Sequence, residues 1–204
     1  MNRFVLLLAA LATVASVGAC TEPDSDQSFS PTETVATEIV STETVAMATG
    51  PPATAPDQAG LAPNATVERI VDGDTLVAVI DGERERVRLL GIDTPESVAE
   101  NRPDQCYGKE ASDYLASLLP EGAEITLVLD EEARDQYDRL LAYVIRSADD
   151  LFVNLDLVER GYADVLIYDP NDHYESLFRA AEADAIDAGA GLWSVCGGPD
   201  VPLE

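Results

Sequence analysis

The chain of 204 residues is short of cations: 12 Lys and Arg stand against 39 Asp and Glu. That balance excludes a broad basic coat of the kind that holds nucleic acid by displacing counterions over a large surface, so a polyanionic partner has to be gripped locally. Histidine is nearly missing too. The one His, His173, follows Pro170, Asn171 and Asp172 and reads as a helix-start residue, not as a metal ligand. The longest apolar run is at the start, Phe4 to Val14 with Thr13 inside it, shorter than the roughly 20 residues a spanning helix needs. No transmembrane domain is expected.

What is present divides the chain in three. Residues 1–20 read as a signal segment, with Arg3 as the positive start, the apolar run behind it, and Val17, Gly18, Ala19 and Cys20 at its end. This end resembles a bacterial lipobox, in which a small-residue cleavage site precedes a lipid-bearing Cys, here Cys20; a plain secretory peptide is the alternative. Both readings export the protein, the first to the outer face of the cell membrane on a lipid anchor. Residues 21–63 contain no Lys or Arg and seven acids, are dominated by Thr, Ser, Pro and Ala, and repeat Thr-Glu-Thr-Val-Ala at Thr32 and Thr42. Such a stretch has too few large apolar groups to offset the entropy of ordering, so a disordered tether is expected. Residues 64–204 are enough for one domain that buries about 70% of its unfolded surface. Their 32 acids against 11 cations make the acidity a property of the folded part.

Periodicity gives the elements of that part. Thr66 to Val71 and Thr75 to Ile80 are β-rich runs, Asp81 and Gly82 mark a tight turn, and Arg84 to Ile92 alternates as a return strand. Ala111, Tyr114, Leu115, Leu118 and Leu119 recur at helical spacing. Ile125 to Leu129 and Leu140 to Ile145 predict two more strands, and Asn154 to Gly161 a short helix capped by Asn at its start and Gly at its end. A last helical stripe from Tyr174 to Ala188 ends at Gly189 or Gly191. Five short strands with a helix after the third and helices at the end predict an α+β fold, a five-stranded Greek-key barrel with about three helices.

A chain reversal at Asp81 to Glu83 brings position 74 opposite position 91 or 92, so Asp74 and Asp93 emerge at one open end of the strand pair. Two carboxylates that close repel unless a cation sits between them, and hard oxygen donors favour Ca²⁺ or Mg²⁺. Each half also has a plain reading, Asp72-Gly73-Asp74 as an Asp-Gly turn and Asp93-Thr94-Pro95-Glu96 as a helix start. Arg84, Arg86 and Arg88 share one strand face, ordinarily a solvated one. Arg88 adjoins the carboxylate end, where a guanidinium holds a phosphate by two parallel hydrogen bonds. Arg139 is a second isolated cation, whose plain role is to pair with neighbouring carboxylates. Cys106 and Cys196, the thiols left once Cys20 is assigned to lipid, are expected to be bonded in an exported protein; reactive thiols are the alternative, with no His or Lys-rich setting to activate them.

The ordered set Ile70-Val71-Asp72-Gly73-Asp74-Thr75, Val87 to Glu96, Tyr107-Gly108-Lys109-Glu110-Ala111, Tyr137 to Tyr143 and Gly191-Leu192-Trp193-Ser194 resembles the staphylococcal nuclease (thermonuclease) family from about Thr66 to Cys196. The resemblance implies an OB-type barrel and calcium-dependent hydrolysis of DNA and RNA that leaves 3′-phosphate ends. It puts the metal carboxylates on Asp74 and Asp93, a metal-binding backbone carbonyl on Thr94, phosphate-binding arginines on Arg88 and Arg139, the essential glutamate on Glu96, and nucleotide-contacting tyrosines on Tyr137 and Tyr168. The chain departs from the family at Asp138, where Gly is usual, at Leu166, which replaces a second pocket tyrosine, and at Gln136, where a basic residue is common. These changes remove substrate contacts and imply weaker binding or altered base preference. A monomer with Ca²⁺ as cofactor and nucleic acid as substrate is the expectation. A catalytically silent nucleic-acid or calcium-binding surface lipoprotein is the alternative from another functional class.

Overall fold

The computed structural model describes residues 63–97 and 104–203. The proposed signal segment, Cys20 and all but the last residue of the proposed tether lie outside the described residues.

Strands β1 (Ala65–Asp72), β2 (Thr75–Ile80) and β3 (Glu83–Leu89) form a meander that buries one apolar face: Leu76, Ala78, Val87 and Leu89 turn inward at 1% exposure or less. After β4 (Ile92–Asp93), helix α1 (Gly108–Leu118) lays Ala111 and Leu115 on the core, and β5 (Glu124–Val128) and β6 (Leu140–Arg146) follow. Closure comes from two pairings. β5 joins β1 antiparallel, Ala65 facing Ile125, and β6 joins β3 in parallel, Arg88 facing Leu141. The order β1-β2-β3-β6-β5 therefore returns to β1 as a closed five-stranded mixed barrel, which removes sheet edges from the core strands.

Beyond the barrel come β7 (Leu151–Phe152), α2 (Val153–Glu159), β8 (Asp164–Val165), α3 (Glu175–Ala188) and α4 (Leu192–Val195). Phe178 of α3 packs with Tyr143, Phe152 and Tyr174, ring centroids 5.6 to 6.2 Å away, and so seats the helix on the barrel wall.

Three local expectations are revised. The return strand stops at Leu89 rather than running through Ile92, because Gly91 turns the chain at φ 78° against the Phe178 ring, where a Cβ would stand 2.4 Å from it. Ile92 and Asp93 then pair with Val165 and Asp164 instead. Asn154 does not cap α2, and Phe152 occupies that position. The Asn154 side chain is fully buried, accepting from the Val144 N–H at 2.8 Å and donating to the Leu90 carbonyl at 2.9 Å. A cap-type residue has been taken up by a long-range bridge between β6 and the turn that follows β3, since an unsatisfied buried amide costs more than a cap returns. Asp93 to Glu96 start no helix; they run on irregularly from β4.

Candidate active site

The Asp-Gly-Asp turn joins β1 to β2 so tightly that a Cβ on Gly73 would meet Thr94 Oγ1 at 2.6 Å and Ala111 Cβ at 2.9 Å. Glycine there lets the turn lie against the chain that leaves β4. As a result Asp74 Oδ2 accepts from the Thr94 N–H at 3.1 Å and the Thr94 hydroxyl at 3.2 Å, while Oδ1 takes the Thr75 hydroxyl at 2.9 Å. Residues 20 apart in sequence share one cradle.

Arg88 reaches this cradle because β3 pairs with β2 in a register that sets it opposite Thr75. Its side chain, 12% exposed, lies between the two carboxylates: Nη2 donates to Asp93 Oδ1 at 2.5 Å, and Nη1 stands 2.6 Å from Asp74 Oδ2. The second contact has ion-pair distance without hydrogen-bond alignment, so the buried Nη1 is charge-compensated yet lacks an aligned acceptor. A buried N–H in that condition suits an incoming anionic oxygen.

Burial raises the Asp93 carboxyl to about 7; Arg88 pulls it back, while Asp74, Asp164 and Asp200 push it further up. Asp164, its β8 partner, is raised by burial to about 6. Asp72 is also raised to about 6, first by burial and then by a carboxyl contact with Glu96; the Ser97 hydroxyl and the Gly73 N–H, at 2.7 and 2.9 Å from Oδ1, oppose the rise. These are the conditions under which carboxyls gather protons unless a cation joins them.

Glu96 is fixed by its main chain. Its N–H donates to Gln105 Oε1 at 2.5 Å, and its carbonyl accepts from the Gln105 N–H at 2.8 Å. Gln105 Nε2 donates in turn to Asp200 Oδ1 at 2.8 Å. Asp200 is brought there by the C-terminal tail, which runs beside residues 104–106 through the Cys106 N–H to the Val201 carbonyl and the Leu203 N–H to the Asp104 carbonyl. The tail is also bound covalently, Cys106 to Cys196 with S–S 2.00 Å.

On the opposite wall, Arg139 is braced at both ends by Asp135, through its backbone N–H at 2.9 Å and its Nε at 2.6 Å, and lies 5.6 Å over the Tyr137 ring. Its two Nη groups bond to no other described residue and are left for the cavity. Asp138, where glycine is usual, sits at φ 63°, the left-handed conformation that explains the glycine.

Asp74, Asp93, Thr94, Arg88, Glu96, Arg139 and Tyr168 thus line one cavity of about 350 Å³. Tyr137 does not. It stands 73% exposed beside an adjoining cavity of about 510 Å³, which shares Arg88, Arg139, Leu166 and Tyr168. Sequence reasoning did not assign Asp72, Gln105, Asp135, Asp164 or Asp200. Asp72 and Asp135 carried some signal, one beside Asp74 in the turn and the other four residues before Arg139. Gln105, Asp164 and Asp200 carried none.

A closed barrel with one buried and one half-buried carboxylate and two arginines at its mouth defines a phosphoryl-group site. The family model described as Staphylococcal nuclease homologue matches residues 86–195. Among curated proteins, the chain is 42% identical over 127 residues to the Thermonuclease of Staphylococcus intermedius, covering 62% of this chain and 74% of that one. It is 37% identical over 128 residues to the Thermonuclease of Staphylococcus hyicus, 63% and 74%. It is 38% identical over 136 residues to the Endonuclease YncB of Bacillus subtilis, 66% and 63%. The chain belongs to the staphylococcal nuclease family and is a nuclease that hydrolyses phosphodiester bonds.

Proposed function

We propose that this protein is a calcium-dependent endonuclease acting on DNA and RNA outside the cell membrane, leaving 3′-phosphate and 5′-hydroxyl ends. The observation that carries the reading is Arg88 bridging Asp74 and Asp93 opposite Arg139, in the cavity that also holds Glu96. Among the described residues no three His, Cys, Asp or Glu side chains converge into a closed metal cage. The donor set is an open one, of two carboxylates with the Thr94 carbonyl. It consists of hard oxygens, already organised around a positive charge, and an open set leaves room for water and substrate. Asp74, Asp93 and Thr94 would hold Ca²⁺, and the bound ion supplies charge neutralisation at a phosphate oxygen.

Arg88 and Arg139 donate to the phosphate oxygens on which charge grows as water attacks phosphorus and the bond to the 5′ oxygen breaks. Nη1 of Arg88 gains an aligned acceptor in that state. Glu96, held by Gln105, takes the proton of the attacking water or orients it. Tyr137 and Tyr168 offer faces on which a base stacks. The wider assignment is an exported lipoprotein: signal segment 1–20 ending at Cys20, tether 21–63 and catalytic domain 64–204.

The test is cleavage of single-stranded DNA by the full chain with calcium and with chelator, beside Glu96→Gln and Arg88→Ala. Chelation should abolish cleavage, and each variant should lose at least about 10²-fold in kcat. Equal cleavage in chelator, or by the variants, overturns the proposal.

A further inference from the structure

Among the described residues there are ten Lys and Arg side chains, in surroundings where acids outnumber cations about threefold. Eight have a carboxylate within ion-pair distance: Arg84, Arg88, Lys109, Arg134, Arg139, Arg146, Arg160 and Arg179. Arg69 and Arg86 have none among the described residues. So acidic a surface offers partners readily, so two unmatched arginines call for another explanation.

The two belong to one place. Arg69 of β1 faces Val77 of β2, and Val77 faces Arg86 of β3. Residues directly opposite one another in antiparallel strands project to the same face, so the two guanidinium groups rise from one row, their strands about 10 Å apart. That face is the outer one, since Val87 and Leu89 beside Arg86 turn into the core with Leu76 and Ala78, whereas Val77, 6% exposed, lies outside that cluster between the two arginines. Both arginines are exposed. Glu68, the neighbouring carboxylate on β1, is taken by Arg84, so the two exposed guanidinium groups keep their donors for an anion from outside the fold. Arg86 lies two residues from Arg88 on the same strand face, a step of about 6.7 Å, and it forms part of the wall of the site cavity.

We propose that Arg86 and Arg69 form a second phosphate-binding station, which takes the backbone phosphate next to the one undergoing hydrolysis and so threads the polynucleotide across β3, β2 and β1. This rests on the nuclease reading and goes beyond it by giving the outer sheet face a role in holding substrate. In a domain this acidic, the station supplies the local grip that a broad basic surface would otherwise provide.

The experiment uses the full chain carrying Glu96→Gln to block turnover, in calcium, with a labelled oligothymidylate followed by fluorescence anisotropy over a series of salt concentrations. Adding Arg86→Gln or Arg69→Gln should weaken binding about fivefold each. Each should also make the slope of log affinity against log salt more positive by about 0.7, while the ion-paired control Arg179→Gln changes neither. In the active chain, hydrolysis of a dinucleotide with one phosphodiester should shift less than twofold on either substitution, because it has no second phosphate to place. Unchanged oligothymidylate affinity and slope overturn the inference, as does an equal loss on oligothymidylate and dinucleotide. Continued cleavage by Glu96→Gln would instead count against the reading of the active site, which keeps the two failures apart.

Discussion

Asp93, Asp72 and Asp164 hold their protons above the ordinary carboxyl range because burial disfavours the charged form before any partner acts. A carboxyl whose folded value is raised contributes stability below its unfolded value, near 4, and loses it as pH climbs through the folded value, here about 6 to 7. Without a divalent ion the chain is therefore expected to lose melting temperature across that interval. Calcium held by Asp74 and Asp93 would reverse the sign, since it takes the ionised Asp93 carboxylate and must displace its proton at lower pH. The melting increment caused by calcium should accordingly be larger at about pH 8 than at about pH 5, by differential scanning calorimetry. Equal increments at both pH values would mean that these carboxylates do not hold the ion. At this scale Asp74 and Arg88 were legible in the sequence, because strand alternation and a tight turn fix which residues share an end; the register was not, since position 74 stands beside Leu89 and not opposite 91 or 92, and Asp93 arrives through the turn at Gly91 and β4. The depth of burial that sets their protonation was not, since it depends on how β4, β8 and the tail pack.

At the scale of elements, the segment carrying Glu96 belongs to neither a strand nor a helix, and Gln105 supplies the order that regular structure does not. Its backbone and side chain close the base of that loop with two hydrogen bonds, and Asp200 steadies the amide from the other side. Gln105→Ala removes the side-chain half. The expected result is a fall in kcat of about tenfold at nearly constant KM, because a displaced Glu96 impairs the reaction more than substrate binding. A fall in affinity at constant kcat would show that Gln105 serves the binding surface and not Glu96. Nothing in the sequence announced this clamp: Gln105 and Asp200 are 95 positions apart and follow no hydrophobic period. The barrel itself was readable, because its five strands are apolar or alternating runs of five to eight residues bounded by turn signals, whereas the two-residue strands β4, β7 and β8 are too short to show any pattern. Asn154 shows the converse. Its type promised a helix cap, and a strand and a distant turn claimed it.

For the whole molecule, charge sets the conditions of work. A strongly acidic chain repels a polyanion at long range, and salt screens that repulsion beyond about 8 to 10 Å, while contacts inside the cavity are screened much less. Activity at fixed calcium is therefore expected to hold or rise from low to moderate salt. A steady decline in kcat/KM from the lowest concentration upward would show that attraction, not repulsion, dominates the approach of substrate. Net charge was legible at once from composition. Which few cations lie unmatched, and that two of them share a row, emerged only from register.

The tail that brings Asp200 to Gln105 gives the far end of the chain a location with practical weight. Leu203 is hydrogen-bonded to Asp104, so any purification handle or fusion partner joined after it would begin a few residues from the cleft and compete with a long polynucleotide for the same space. Handles spliced elsewhere, or clipped off before assay, would leave that doorway clear.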